Sequence, residues 1–93
     1  MTVDWTEPAK DDLRSIHDYI AQNSVPAADA TVRRLTDRAR QAALFPMSGR
    51  IVREFGVALI RELIADPYRI MYEVFPDRVE VLAVVRGEQR FPW

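Results

Sequence analysis

Apolar positions in the first half of the chain repeat at helical spacing. The first stripe consists of Ala9, Leu13, Ile16 and Ile20. Intervals of four, three and four residues place these side chains on one side of a helix. Thr6 followed by Glu7 and Pro8 is typical of a helix start, because threonine caps the first turn and proline loses no hydrogen bond there. We therefore predict an amphipathic helix over residues 8–22.

A second stripe follows after a short break at residues 23–29, where Ser24 is a candidate cap. Its members are Val32, Leu35, Ala39 and Ala42. Their intervals of three, four and three residues predict a longer helix over residues 27–44. Two helices joined by so short a connection are expected to pack as an antiparallel hairpin.

The second half of the chain has the pattern of a sheet. Pro46 and Gly49 end the helical region, and proline, glycine and aspartate then punctuate short apolar runs. The predicted strands are residues 51–54, 58–64, 68–75 and 79–85, with a short opening strand at residues 3–6. A helix hairpin combined with such a meander predicts one α+β domain over residues 1–93. In it the helices cover one face of a small antiparallel sheet.

Arginines within the most apolar strands need a partner, because an unpaired buried guanidinium is costly. A two-residue turn at Pro76 and Asp77 would place Tyr72 opposite Val81 on the helix-covered face. The same register places Arg69 opposite Val84 on the outer face, which is the sheet face turned away from the helices. Arg86 would then lie diagonally from Arg69, about 7 to 8 Å away, close enough for the two to bind one anion together.

A three-residue turn at residues 65–67 would bring Arg61 to the outer face as well, opposite Met71. This register places Glu62 on the helix-covered side, which counts against it. Two interpretations of the arginines remain open. They bind a partner or substrate, or they only neutralise Glu73 and Glu80 in an ion-pair lattice.

The amino-acid composition limits which kinds of catalytic and metal-binding site the chain can form. The chain has no cysteine and a single histidine, His17, which excludes disulfides and thiolate catalysis and disfavours a histidine-based metal site. We expect His17 to be an ordinary packed or surface side chain, and we expect no cofactor. A net charge of -1 argues against a general polyanion-binding surface. No apolar run is long enough to span a bilayer and the N-terminus lacks a signal pattern, so we expect a cytoplasmic protein.

Four segments, in order and spacing, resemble the RelE/ParE superfamily of bacterial toxins from type II toxin-antitoxin pairs. They are "AKDDLRSIHDYIA" (9–21), "FPMSGRIVREF" (45–55), "IRELIADPYRIMYEV" (60–74) and "VEVLAVVRGEQRFPW" (79–93). The resemblance implies a compact toxin whose outer sheet face and C-terminal edge carry function. It also implies a hetero-oligomer with an antitoxin that wraps and neutralises the toxin.

The superfamily has two activities, and the resemblance bears on the choice between them. RelE-like members cut messenger RNA in the ribosome with a basic pair, two arginines and a C-terminal tyrosine, whereas ParE-like members lack that set and poison DNA gyrase. Arg69 matches the first arginine, and Gln89 or Arg90 falls near the second. The basic pair maps onto Ile60 and Glu62, and the sequence as given ends before the position of the tyrosine.

RNA cleavage by 2′-hydroxyl attack needs a base, an acid and a cation that stabilises the phosphorane, and this sequence offers mainly the cation. The resemblance therefore favours a gyrase-poisoning toxin that is not an enzyme. A ribosome-dependent mRNA endoribonuclease and an inactive toxin-fold binding protein are the alternatives. The residues expected to be required for toxicity are Arg61, Arg69, Arg86 and Arg90.

Overall fold

The two helices begin at the caps that the sequence predicts. The computed structural model describes residues 1–87, in which α1 spans Glu7–Ala21 and α2 spans Val25–Leu44. The Thr6 side chain accepts a hydrogen bond from the Ala9 amide, and the Ser24 side chain accepts one from the Ala27 amide. Each cap satisfies an amide that has no partner within its helix. Neither helix of the described region combines the length and apolar character needed to cross a bilayer.

Five strands form one sheet with the order β1-β5-β4-β3-β2. Their bounds are Thr2–Trp5 for β1, Arg50–Ile51 for β2, Ile60–Ala65 for β3, Tyr68–Val74 for β4 and Arg78–Arg86 for β5. β1 lies parallel to β5, and the remaining pairs are antiparallel. The predicted α+β architecture is confirmed, with a mixed sheet in place of a purely antiparallel one. The parallel pair is possible because the helix hairpin and the meander separate β1 from β5 along the chain.

The sheet has a core on each face. Leu35, Ala39 and Ala9 of the helices pack against Ile70, Val81 and Val84, and all six side chains are buried. On the outer face, Val52 and Phe55 pack against Met71, Ala83 and Val85. The outer face is therefore partly covered by the segment that follows β2. β2 is shorter than predicted because the chain turns at Val52, whose carbonyl accepts hydrogen bonds from the Phe55 and Gly56 amides.

The predicted β4–β5 register is correct at one end of the hairpin and wrong at the other. Tyr72 lies opposite Val81 as predicted, but Met71 lies opposite Ala83, so Leu82 is an extra residue in a β-bulge. A one-residue slip moves every later side chain to the other face. Val84 and Arg86 therefore lie on the helix-covered face, and the predicted diagonal neighbourhood of Arg86 and Arg69 is wrong.

The predicted β3–β4 register is also wrong by one residue. Ala65 lies opposite Tyr68, which leaves a two-residue turn at Asp66 and Pro67. This register turns the buried Leu63 and Ala65 towards the helices. As a result Arg61 lies opposite Tyr72 on the helix-covered face, and Glu62 lies opposite Met71 on the outer face. This register buries Leu63 and Ala65 against the helices and places the Glu62 carboxylate where Arg69 and Arg50 bind it, which explains why it forms.

Candidate functional site

A buried carboxylate lies on the outer face of β3, next to the edge strand β2. The Glu62 side chain is 5% exposed, and it lies between two arginines that come from β4 and β2. Arg69 donates from Nε to Glu62 Oε2 at 2.9 Å, and Arg50 donates from Nη2 to Oε1 at 2.5 Å. Each carboxylate oxygen therefore has a cationic donor, as a buried charge requires.

Arg69 has a second acidic partner at the surface. Its Nη1 and Nη2 atoms lie 3.4 and 3.3 Å from the two carboxylate oxygens of Glu54, whose side chain is 44% exposed. The hydrogen bond from Arg69 lowers the pKa of the Glu54 carboxyl below its ordinary value. The guanidinium thus contacts an inner carboxylate and an outer carboxylate at the same time.

These groups line a cleft of about 490 Å³ between the segment after β2 and the β3–β4 turn. We call it the ion-pair cleft, and its charged lining residues are Arg50, Arg53, Arg69, Glu54, Glu62 and Asp66. The three cations and three anions balance. A cleft whose charges balance does not present the strong positive potential that a nucleic-acid backbone requires.

Arg61 has a different environment from Arg69. Its Nη1 donates to the carbonyls of Met47 and Gly49, at 3.1 and 3.0 Å, and its Nε donates to the carbonyl of Ala58 at 2.9 Å. These bonds join the loop after α2 to the segment before β3. The contacts of Arg61 are therefore those of a structural clamp, and it does not share a face with Arg69.

The loop held by Arg61 is also joined to the core through Tyr72. The fully buried Tyr72 donates its hydroxyl hydrogen to the Pro46 carbonyl at 2.7 Å and accepts a hydrogen bond from the Gly49 amide at 3.2 Å. A Cβ at Gly49 would clash with the Tyr72 hydroxyl and would lie 2.7 Å from the Glu62 carbonyl oxygen. Only glycine fits where this loop approaches β3.

Arg86 lies beside the first helix. Its guanidinium carbon is 5.9 Å from the centre of the Tyr68 ring, and both residues line a shallow cleft with Ser15 and Tyr19 of α1. This cleft lies on the opposite side of the sheet from Arg69, because the bulge in β5 reverses the side-chain alternation. Arg90 lies outside the described residues.

Arg69 does form ion pairs, as one of the two interpretations of the arginines expected, but with different glutamates from those predicted. Arg69 contacts Glu62 and Glu54 rather than Glu73 and Glu80, and the Glu80 carboxylate accepts a hydrogen bond from Arg78 Nε at 3.0 Å. Arg50 and Glu54 were absent from the predicted site, although both fall in the "FPMSGRIVREF" segment. A glutamate amid apolar residues in "IRELIA" was the available signal, since a buried carboxylate needs a cation.

In the part of the chain that the structure describes, His17 and the acidic residues form no group that could hold a metal ion. His17 Nε2 lies 2.8 Å from Asp29 Oδ1, so it bridges α1 and α2. That hydrogen bond raises the pKa of the imidazole. His17 is a partly exposed link within the helix hairpin, in accord with its predicted ordinary role.

Comparisons with known proteins agree with this architecture. A family model described as the ParE toxin of type II toxin-antitoxin system, parDE, matches residues 3–91. A solved structure described as the chromosomal ParDE TA system from P. aeruginosa contains a chain with a similar fold, with a TM-score of 0.76 and 22% sequence identity. The match covers 92% of this chain and 95% of that one. A comparison with curated proteins gave no significant match. Because the family model spans nearly the whole chain, the protein belongs to the ParE toxin family of type II toxin-antitoxin systems.

Proposed function

We propose that this toxin inhibits bacterial growth by poisoning DNA gyrase and that a cognate antitoxin neutralises it. Membership of the ParE family supports the proposal. The observation that distinguishes it from the nuclease alternative is Glu62, which lies where the resemblance puts one residue of the RelE-type basic pair. Its buried carboxylate holds Arg69 at 2.9 Å.

The chemistry of the ion-pair cleft supports the same choice. A nuclease of RelE type needs an arginine that can turn to a phosphorane, together with an acid and a base. Here the Arg69 guanidinium is held by two carboxylates, and each of them would repel an incoming phosphate. A toxin that acts by binding a protein target needs no such catalytic set.

The proposal of an antitoxin partner has support from exposed surfaces. The cleft between α1 and the end of β5 presents Tyr19, whose relative exposure is 71%, beside Arg86. β1 pairs with β5 only as far as Val81, so β1 does not cover the later part of that strand. Helical and extended peptides bind such grooves and edges.

Arg69, Arg86 and Arg90 remain our candidates for residues that toxicity requires. Arg61 remains a weaker one, because its three bonds to backbone carbonyls favour a structural role. Alanine variants of these four, compared for growth inhibition at matched levels of folded protein, test the assignment.

The decisive experiment uses purified gyrase, supercoiled plasmid and ATP. We expect the toxin to cause accumulation of linear DNA that stays covalently linked to gyrase, as a poisoned cleavage complex does. In cells, the expected result is filamentation with DNA-damage signalling while translation continues. Early arrest of translation with cut ribosome-bound messages would overturn the proposal and support the RelE-type alternative.

Co-purification from the native operon tests the partner. We expect the toxin to emerge in a stable complex with a short protein encoded beside it, because an antitoxin must bind tightly enough to prevent toxicity. Recovery of the toxin alone would contradict the proposed neutralisation.

A further inference from the structure

Large apolar side chains are exposed together where α2 ends. The exposed fraction is 70% for Leu44, 65% for Phe45 and 51% for Met47, and we call these three residues the apolar corner. Among the described residues, the packed clusters on the two faces of the sheet include none of the three. Single exposed apolar residues are normal, whereas a group of large ones marks an interaction site.

Hydrogen bonds hold the backbone of the apolar corner in place. The Ser48 hydroxyl donates to the Phe45 carbonyl at 2.7 Å. Arg61 Nη1 donates to the Met47 carbonyl at 3.1 Å, and the buried Tyr72 hydroxyl binds the same loop. A loop fixed in this way presents its exposed side chains in set positions, so a partner can bind them with little further ordering of the toxin.

The apolar corner lies in a basic stretch of the chain. Residues 38–53 include four arginines and neither aspartate nor glutamate, although the whole chain has a net charge of -1. Arg38 and Arg50 line a cleft of about 170 Å³ together with Ser48 and Gly49, which belong to the loop that carries the apolar corner. The exposed apolar side chains therefore have cations beside them.

The charge of Arg38 is available to a ligand. Arg50 binds Glu62 in this cleft, and Glu62 is also bound by Arg69. Arg38 Nε instead donates to the carbonyl of Ile64 at 3.0 Å, which leaves its charge without a carboxylate among the described residues. A carboxylate that approaches Arg38 can gain a charge-assisted contact without displacing an internal anion.

We propose that the apolar corner docks a segment of another protein in which apolar side chains are flanked by carboxylates. This surface is distinct from the cleft that we propose for the antitoxin, because Arg50 belongs to the edge strand β2 and Arg86 to β5, three strands away. Nucleic acid is disfavoured, since Leu44 and Met47 offer bases neither an aromatic ring nor a hydrogen bond. The proposal does not rest on gyrase being the target.

The test follows the Met47 methyl signal by NMR while the toxin is titrated with two synthetic peptides. Both are about 14 residues long and carry the same leucine stripe, flanked by glutamate in one peptide and by lysine in the other. We expect the glutamate peptide to shift the Met47 signal and to bind about ten-fold more tightly than the lysine peptide, because charge complementarity selects the partner. The signal of the buried Met71 should stay in place, which shows that the toxin remains folded.

Two pairs of variants locate the binding surface. Leu44→Ser should weaken binding of the glutamate peptide about five- to ten-fold. Val25→Ser is its matched control, because Val25 is 55% exposed at the opposite end of α2, and it should leave the affinity unchanged. Arg38→Gln, which keeps a hydrogen-bond donor, should weaken binding about two- to five-fold. Arg33→Gln removes an exposed charge nearer the start of the same helix and should have a smaller effect.

Several results would overturn the proposal. Equal binding of the two peptides would refute the acidic chemistry, and equal losses in Leu44→Ser and Val25→Ser would refute the location. Tighter binding of single-stranded DNA at Met47 would assign the surface to nucleic acid. A Met47 signal that moves with toxin concentration alone would assign it to a second copy of the toxin. None of these results depends on gyrase, so they are separate from the test of function.

Discussion

At the scale of single residues, one buried carboxylate decides how the arginines are used. Among the described residues, Glu62 is the charged residue that is buried, with 4% exposure. Its neighbours in β3 are mostly apolar. Arg69 and Arg50 are drawn to it because an unpaired carboxylate there would be costly. The role in toxicity that we propose for Arg69 is therefore coupled to its role in folding.

This coupling predicts the behaviour of Arg69→Ala. The substitution removes one of two cations from a buried carboxylate, so we expect a loss of about 2 to 3 kcal/mol in the free energy of unfolding, less than for a pair with no remaining partner. Arg69→Ala combined with Glu62→Gln should recover part of that loss, because the neutral amide needs no cation. Urea denaturation of both variants measures the difference.

The double variant also separates folding from function. If Arg69 contacts the target, Arg69→Ala with Glu62→Gln should remain harmless although it is more stable than the single variant. Toxicity that returns together with stability would show that Arg69 acts only through the fold. Additive effects of the two substitutions on stability would contradict the coupling itself.

At the scale of elements, the bulge in β5 links the sheet to the first helix. The Val84 amide donates to Asp12 Oδ2 at 2.9 Å, and the Thr6 hydroxyl donates to the Val81 carbonyl at 2.9 Å. Both bonds satisfy backbone groups at the strand edge where β1 has ended, and they tie α1 to β5. Burial raises the pKa of the Asp12 carboxyl, so the charged form is disfavoured in the folded protein.

Substitutions at Asp12 should therefore separate its hydrogen bond from its charge. Asp12→Ala leaves the partly buried Val84 amide unpaired, and we expect it to lower the free energy of unfolding by about 1 to 3 kcal/mol. Asp12→Asn keeps an acceptor without a charge, so it should be as stable as the unaltered protein or slightly more so. Thermal unfolding near neutral pH checks both, and an equal loss in the two variants would refute this account.

The contact between His17 of α1 and Asp29 of α2 makes the stability of the helix hairpin depend on pH. The hydrogen bond that His17 donates to the Asp29 carboxylate raises the pKa of His17 above its ordinary value of 6.5. A raised histidine pKa stabilises the folded protein fully below that ordinary value, and the stabilisation is lost as the pH rises through the raised value. Asp29→Asn should therefore lower the melting temperature more at about pH 5.5 than at about pH 8.5.

His17→Gln provides the control for this measurement. In that background Asp29→Asn should have the same effect on the melting temperature at both pH values, because the titrating partner is gone. A difference that persists without His17 would assign the pH dependence to another group.

At the scale of the whole molecule, charge balance limits what the toxin can bind by itself. The net charge is -1, and the ion-pair cleft is lined by three arginines and three carboxylates. Proteins that bind nucleic acid without a partner neutralise several phosphates with unpaired cations. The toxin lacks such a surface in the ion-pair cleft, so we expect it to reach DNA through gyrase rather than directly.

This expectation can be measured on the toxin alone. A duplex fragment should show no shift in gel electrophoresis at toxin concentrations up to about 10 μM in about 150 mM salt, where nonspecific binders begin to associate. The same fragment mixed with gyrase and toxin provides the positive control. Binding at micromolar concentration that weakens steeply with added salt would show an electrostatic nucleic-acid surface.

The sequence by itself determined the elements and the family. Both helices, their caps and the strands could be predicted because caps and hydrophobic spacing act within a few residues of each other along the chain. The order of the quoted segments identified the superfamily, which the match over residues 3–91 supports. These features depend on local chemistry or on the linear order of motifs, and neither requires the coordinates.

Only the tertiary structure decided which charges meet. A one-residue change in the β3–β4 turn and one extra residue at Leu82 moved Glu62 onto the outer face and Arg61 and Arg86 off it. Register depends on which side chains the helices cover and on which backbone groups Asp12 and Thr6 satisfy, and these contacts join residues far apart in the chain. Side chains of a strand alternate between the two faces of the sheet, so a shift of one residue in the pairing moves every side chain to the opposite face. The pattern of residues along a single strand is the same in both registers and cannot distinguish them.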